Sequence, residues 1–263
     1  MPTVQINDIE IYYEQHGHGE PLLLITGLSA DHTAWLNVLD GLSVNFQVTI
    51  FDNRGAGMTS CPDKPYTTEQ MADDTAGLMQ ALNIDKAHII GHSMGSCIAQ
   101  QLAIRHPEKI NKLILYASAA KLDPRSLYIL QERIRLWEKH YPNEDIYRSI
   151  LIPWGYSKHF LNSPENIEQV LELLKINKAS ITLTGYKHQL AALSHHDTLT
   201  LLSQIHTATL VLSMSEDILT TPTDGRYLAA HIDNAEYHEV DAQAHVFHFE
   251  APQAFIDIVI QFL

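Results

Sequence analysis

Short apolar runs and helical-period segments alternate along most of this chain. Runs that read as strands recur near residues 22–26, 47–52, 87–92, 111–117 and 208–213, with an alternating one, Glu236-Tyr237-His238-Glu239-Val240, near 236–240. Residues 3 to 14 read as a strand pair turning around Asn7-Asp8. Helical patterns separate most of these runs. One is Ser96 to Ile104, which stops at His106-Pro107. Strands alternating with helices predict an α/β fold, with a mostly parallel central sheet covered by helices on both faces.

The rhythm breaks after Ala120. From 121 to 196 no strand is evident, and Arg125–His140, Glu144–Ile152 and Pro164–Lys178 look helical. This block reads as an insertion into the fold. Residues 1–120 and 197–263 are then the α/β core, and 121–196 is a helical cap. Repeats and low-complexity tracts are absent.

Composition narrows the class. A chain of 263 residues with 45% apolar content suits one α/β unit with a sizeable core. No apolar run approaches the roughly 18 residues that span a bilayer, and Met1-Pro2-Thr3-Val4-Gln5 does not open a secretory signal. Two cysteines, Cys61 and Cys97, predict no disulfide framework and a cytoplasmic setting. The net charge of −14 argues against nucleic acid or an anionic membrane as the main partner. The acidic excess lies outside 121–196, where ten Lys/Arg face eight Asp/Glu. A small-molecule substrate is expected, with an acyl-carrier-linked one left open. The oligomeric state is not legible.

Gly91-His92-Ser93-Met94-Gly95 stands between the strand Ala87-His88-Ile89-Ile90 and a helix. Its glycines permit a tight strand-to-helix turn, which strains the serine backbone and exposes its hydroxyl. Ser93 is therefore the candidate nucleophile. A serine needs a base and a group to orient that base, in the chain order acid then histidine. Asp217, past the strand Ala208–Ser213, is the candidate acid; Glu216, Asp224 and Asp241 are its rivals. His245, after Asp241-Ala242-Gln243-Ala244, is the candidate base, with His248 as its rival. The oxyanion donors are expected to be the N–H groups of Met94 and of Leu28, in the loop Thr26-Gly27-Leu28-Ser29-Ala30. Candidate pocket residues are Gly27, Trp154, Tyr156, Phe160 and Val246, with Leu28, Met94 and Trp35 as further walls; each aromatic is as well explained by packing. No metal is expected, since His195-His196 and His245/His248 lack further ligands at recognisable spacing.

These features together resemble the α/β-hydrolase superfamily over nearly the whole chain, most closely small microbial esterases and 3-oxoadipate enol-lactonase-like proteins. Besides the elbow, the resembling segments are 51–60, 66–74, His106–Ile110 and Phe249–Phe255. Two positions depart from the pattern. Thr26-Gly27 stands where His-Gly is common, and Ala242-Gln243-Ala244 replaces a glycine-bearing loop. The resemblance implies a cofactor-free serine hydrolase of carboxylic esters or lactones working through an acyl-enzyme, with Ser93, Asp217 and His245 in these roles. It leaves open enol-lactone hydrolysis, removal of a methyl ester from a carrier-bound pimeloyl chain, cofactor-free perhydrolysis, and a ligand receptor with slow turnover.

Overall fold

A computed structural model describes residues 2–140, 152–176 and 181–263. Eight strands form one sheet in the order β1-β2-β4-β3-β5-β6-β7-β8. They are β1 (Thr3–Ile6), β2 (Ile9–His16), β3 (Glu20–Ile25), β4 (Phe46–Phe51), β5 (Ala87–His92), β6 (Ile110–Tyr116), β7 (Thr209–Met214) and β8 (Ala235–Val240). The β1–β2 hairpin turns at Asn7, whose φ of 52° fits a tight two-residue hairpin turn. β2 also pairs antiparallel with β4, and from β4 to β8 every pairing is parallel.

The parallel strands are apolar in unbroken runs because both faces are covered. Side chains alternate between faces along a strand, so Leu23 and Ile25 enter one core and Leu22 and Leu24 the other. The first core lies under α2 (Thr68–Ala81) and α3 (Met94–Arg105); the second lies under α1 (Leu36–Ser43) and the C-terminal helix Pro252–Phe262. β8 forms the edge of the parallel part of the sheet, opposite β1. Glu236, His238 and Glu239 face solvent there, polar side chains that discourage edge-to-edge pairing.

Between β6 and β7 the chain leaves the sheet for α4 (Pro124–His140), α5 (Lys158–Leu161), α6 (Pro164–Ile176) and α7 (Leu183–His195). Asp123 starts α4 by accepting the Arg125 and Ser126 N–H groups. The expected helix over 144–152 falls almost wholly outside the described residues, as do the last two positions of that over 164–178. One extended contact interrupts the helices: Ile181 bridges Ala56. α7 ties this insertion to the sheet. Gln189 accepts the Ser29 N–H at 3.0 Å and donates to the Arg54 carbonyl at 2.9 Å. Among the described residues no helix is long and apolar enough to cross a membrane.

Close approach of α3 to β3 sets the geometry of the central turn. A Cβ at Gly95 would lie 2.2 Å from the Ile25 carbonyl oxygen and 2.6 Å from that of Thr26. Both neighbours are backbone, so neither can rotate away. Gly95→Ala is expected to destabilise the protein by about 3 kcal/mol or more, the upper end for overpacking. A urea midpoint unchanged from the parent would contradict this.

Candidate active site

β5 ends at His92 and α3 begins at Met94, leaving Ser93 alone at the junction. Its backbone sits at φ 54°, ψ −119°, a conformation that costs a non-glycine residue on the order of 1–3 kcal/mol. The surroundings hold it there. Ser93 N–H donates to the Tyr116 carbonyl on β6 at 3.0 Å, and its carbonyl receives the Ser96 N–H at 2.9 Å. A Cβ at Gly91 would lie 2.4 Å from the Gly95 carbonyl oxygen, so the turn closes only with glycine on both sides.

Two distant loops meet this serine. His245, in the loop after β8, brings Nε2 to 2.9 Å from Ser93 Oγ, across 152 residues of sequence. Its Nδ1 lies 2.8 Å from Asp217 Oδ2, in the loop after β7. Asp217 and His245 are both buried. Asp217 is itself fixed. Its Oδ1 accepts the Leu219 and Thr220 N–H groups at 2.9 and 3.1 Å, and Oδ2 accepts the Thr220 hydroxyl at 2.8 Å. Thr220 is missed by a search for catalytic residue types, although its place three residues after a candidate acid is a turn signal.

The loop after β3 closes the other side. A Cβ at Gly27 would lie 3.1 Å from Ser93 Cβ, so glycine admits this approach. Thr26, the residue that departs from the common His, anchors the loop. Its hydroxyl donates to the Ala30 carbonyl, and Asn53 Nδ2 donates to both its carbonyl and hydroxyl oxygens, at 3.0 and 3.1 Å. The N–H groups of Met94, at the start of α3, and of Leu28 belong to the two segments that flank Ser93. The first N–H groups of a helix have no intrahelical acceptor, so that of Met94 is available to an anion.

A model of the alpha/beta hydrolase fold matches residues 20–252. The chain belongs to this family. Among its relatives, 3-oxoadipate enol-lactonase 2 of Acinetobacter baylyi is 28% identical over 255 residues, covering 96% of this chain and 92% of that protein. RutD of Rhizobium rhizogenes, provisionally named a carbamate hydrolase, is 30% identical over 260 residues, with 96% and 97% covered. The crystal structure of the enol-lactonase from Burkholderia xenovorans LB400 superposes with a TM-score of 0.89 at 28% identity, over 99% of each chain.

Within this α/β hydrolase the rival residues are engaged elsewhere. His248 receives the Tyr116 hydroxyl at Nδ1 (3.0 Å) and donates from Nε2 to the Ala34 carbonyl (3.1 Å), and burial pushes it down to about 4. Glu216 accepts the Lys158 N–H, Asp241 the Ser215 hydroxyl, and Asp224 closes a capping box with Thr221. The glycine-free loop before His245 still makes a left-handed turn. Ala242 sits at φ 54°, and its N–H donates to Ser215 Oγ at 2.9 Å.

The expected pocket residues divide. Val246 N–H donates to the Gly155 carbonyl at 3.2 Å, which seats residues 152–156 of the insertion on the His245 loop, and Trp154 is half-buried in that segment. Tyr156 and Phe160 stack at 5.0 Å and meet Phe249 at 5.7 and 5.9 Å, so they pack the insertion onto the core. Trp35 is no wall. It is buried between His92, His248 and Phe255, because its helical turn packs beneath the sheet. The Met94 side chain is likewise buried in the core.

Asp31, His32 and Asp52 bring possible metal-ligand atoms within 4.8 Å of one another. The protein already occupies these oxygens. Asp52 accepts the His32 N–H and ring Nδ1–H at 2.7 and 2.8 Å and the Met58 N–H at 2.8 Å, while Asp31 caps the turn at Thr33. The cluster locks the loops after β3 and β4, and the Asp52 carboxylate beside His32 holds that imidazole above its ordinary range against the cost of burial.

Proposed function

We propose that the protein is a serine hydrolase of carboxylic esters or lactones. The observation that carries this reading is the hydrogen-bonded line from Ser93 Oγ through His245 to Asp217, with a strained serine at its head. A seryl hydroxyl at neutral pH is a weak nucleophile; a base at 2.9 Å removes its proton as it attacks the acyl carbon. Asp217 keeps the His245 proton on Nδ1, leaves Nε2 free to accept, and stabilises the imidazolium that forms. The N–H groups of Met94 and Leu28 receive the oxyanion, each worth about 3–4 kcal/mol in the transition state. His245 then protonates the leaving alkoxide. In the second half it activates water, which hydrolyses the acyl-enzyme and regenerates Ser93. Every step runs on this chain's own groups and water.

In a lactone the leaving oxygen is part of the acyl chain, so His245 protonates it in place and water then releases a single hydroxy acid. Two relatives named enol-lactonases favour this substrate geometry. The helical insertion serves as the cap: residues 152–156 rest on the His245 loop, so cap packing sets which acyl groups reach Ser93.

Mass spectrometry of protein quenched within the first turnover tests the proposal. p-Nitrophenyl esters from acetyl to dodecanoyl, and lactones of different ring size, are expected to leave a transient acyl adduct on Ser93. Turnover should peak at one chain length or ring size. Rapid hydrolysis without an adduct on Ser93 would overturn the acyl-enzyme mechanism.

A further inference from the structure

We infer that His92, the residue before the nucleophile, is a positioning residue that holds the His245 backbone so that its ring meets Ser93. The inference rests on the serine-hydrolase reading above. His92 Nε2 lies 2.9 Å from the His245 carbonyl oxygen. A carbonyl only accepts, so the proton is on Nε2. The ring sits among His245 at 5.1 Å, His248 at 5.1 Å and Tyr116, on which it stacks at 4.7 Å. His92 and Tyr116 are register partners on β5 and β6, so the donor stands on a rigid, buried part of the sheet.

Tyr116 also brings its hydroxyl to 3.1 Å from the same carbonyl. It has one proton to give. His248 donates from Nε2 to the Ala34 carbonyl, so a neutral His248 presents Nδ1 as an acceptor, and the Tyr116 proton belongs there. His92 is then the side chain left to hold the His245 carbonyl. Burial, with His245 and His248 alongside, holds His92 far below the ordinary histidine range, so it stays neutral. Neutrality matters because His245 becomes a cation in the transition state, and a second cation 5.1 Å away would oppose it.

The loop bearing His245 carries the base on a single turn between β8 and the short helix Phe247–Glu250. Without the bond from His92 the ring can drift from Ser93 Oγ, and a displacement near 1 Å costs up to about a hundredfold in rate. Sequence alone hides this role, because the middle positions of the elbow carry no obvious constraint.

Glutamine and asparagine separate reach from packing. Gln Nε2 occupies the place of His Nε2, whereas the Asn amide ends nearer the backbone; both lose the stack on Tyr116. The readout is covalent labelling of Ser93 by a p-nitrophenyl alkylphosphonate, which reports the activated serine whatever the natural substrate is. His92→Gln should label within about threefold of the parent at saturating reagent. His92→Asn should fall by about tenfold or more, with little change in half-saturating concentration. Equal losses in the two variants, or no loss in either, would overturn the positioning role. Absence of labelling in the parent would instead bring down the serine-nucleophile reading, and this inference with it.

Discussion

Asp217→Asn is expected to lower kcat by about ten-thousand-fold while leaving the fold intact. The hydrogen bonds around the carboxylate force this outcome. Oδ1 accepts two backbone N–H groups, from Leu219 and Thr220, so the amide oxygen of asparagine must take that place. The amide nitrogen then replaces Oδ2 and donates toward His245 Nδ1, where the carboxylate accepted at 2.8 Å. The imidazole must move its proton to Nε2, which faces Ser93 and can no longer accept the hydroxyl proton. The Thr220 hydroxyl loses its acceptor as well, a cost of about 1 kcal/mol in stability. Activity on p-nitrophenyl esters that survives within tenfold of the parent would remove Asp217 from the mechanism.

Ser93→Ala removes the group to which the acyl unit bonds, and kcat should fall by about a millionfold. Leu28 and Met94 remain, so binding of a substrate or of its carboxylic acid product should persist at similar affinity. The alanine keeps a Cβ at φ 54°, so the backbone strain also persists. Ser93→Gly is equally inactive but relieves that strain, and is expected to melt higher than Ser93→Ala despite the entropy cost of glycine. Comparing the two melting temperatures therefore measures what the elbow stores. Undiminished hydrolysis by either variant would place the chemistry elsewhere.

Much of the site is legible in the amino-acid sequence because its signals are local. The elbow is five consecutive residues between a strand and a helix, and steric necessity places glycine at 91 and 95. Asp217 and His245 each follow a strand at a short interval. Roles that depend on distant contacts are not legible in this way. His92 reads as an unconstrained position within the elbow, yet it reaches the His245 carbonyl. Gln189 lies on a helix of the insertion and joins the loops after β3 and β4. Aromatic residues mislead for the same reason. Trp35, and the stacked pair Tyr156 and Phe160, read equally as pocket walls or packing, since composition does not say which way a ring faces.

The order of residues is enough to set the alternation of strands and helices, the place of the insertion and the turn that presents Ser93. Each follows from periodicity or from the sterics of near neighbours, which act within a few residues. Folding in three dimensions selects which of sixteen histidines stands 2.9 Å from that serine, and which one holds its backbone. Those pairings form when β5, β6, β7 and β8 align in one sheet and bring together loops more than a hundred residues apart.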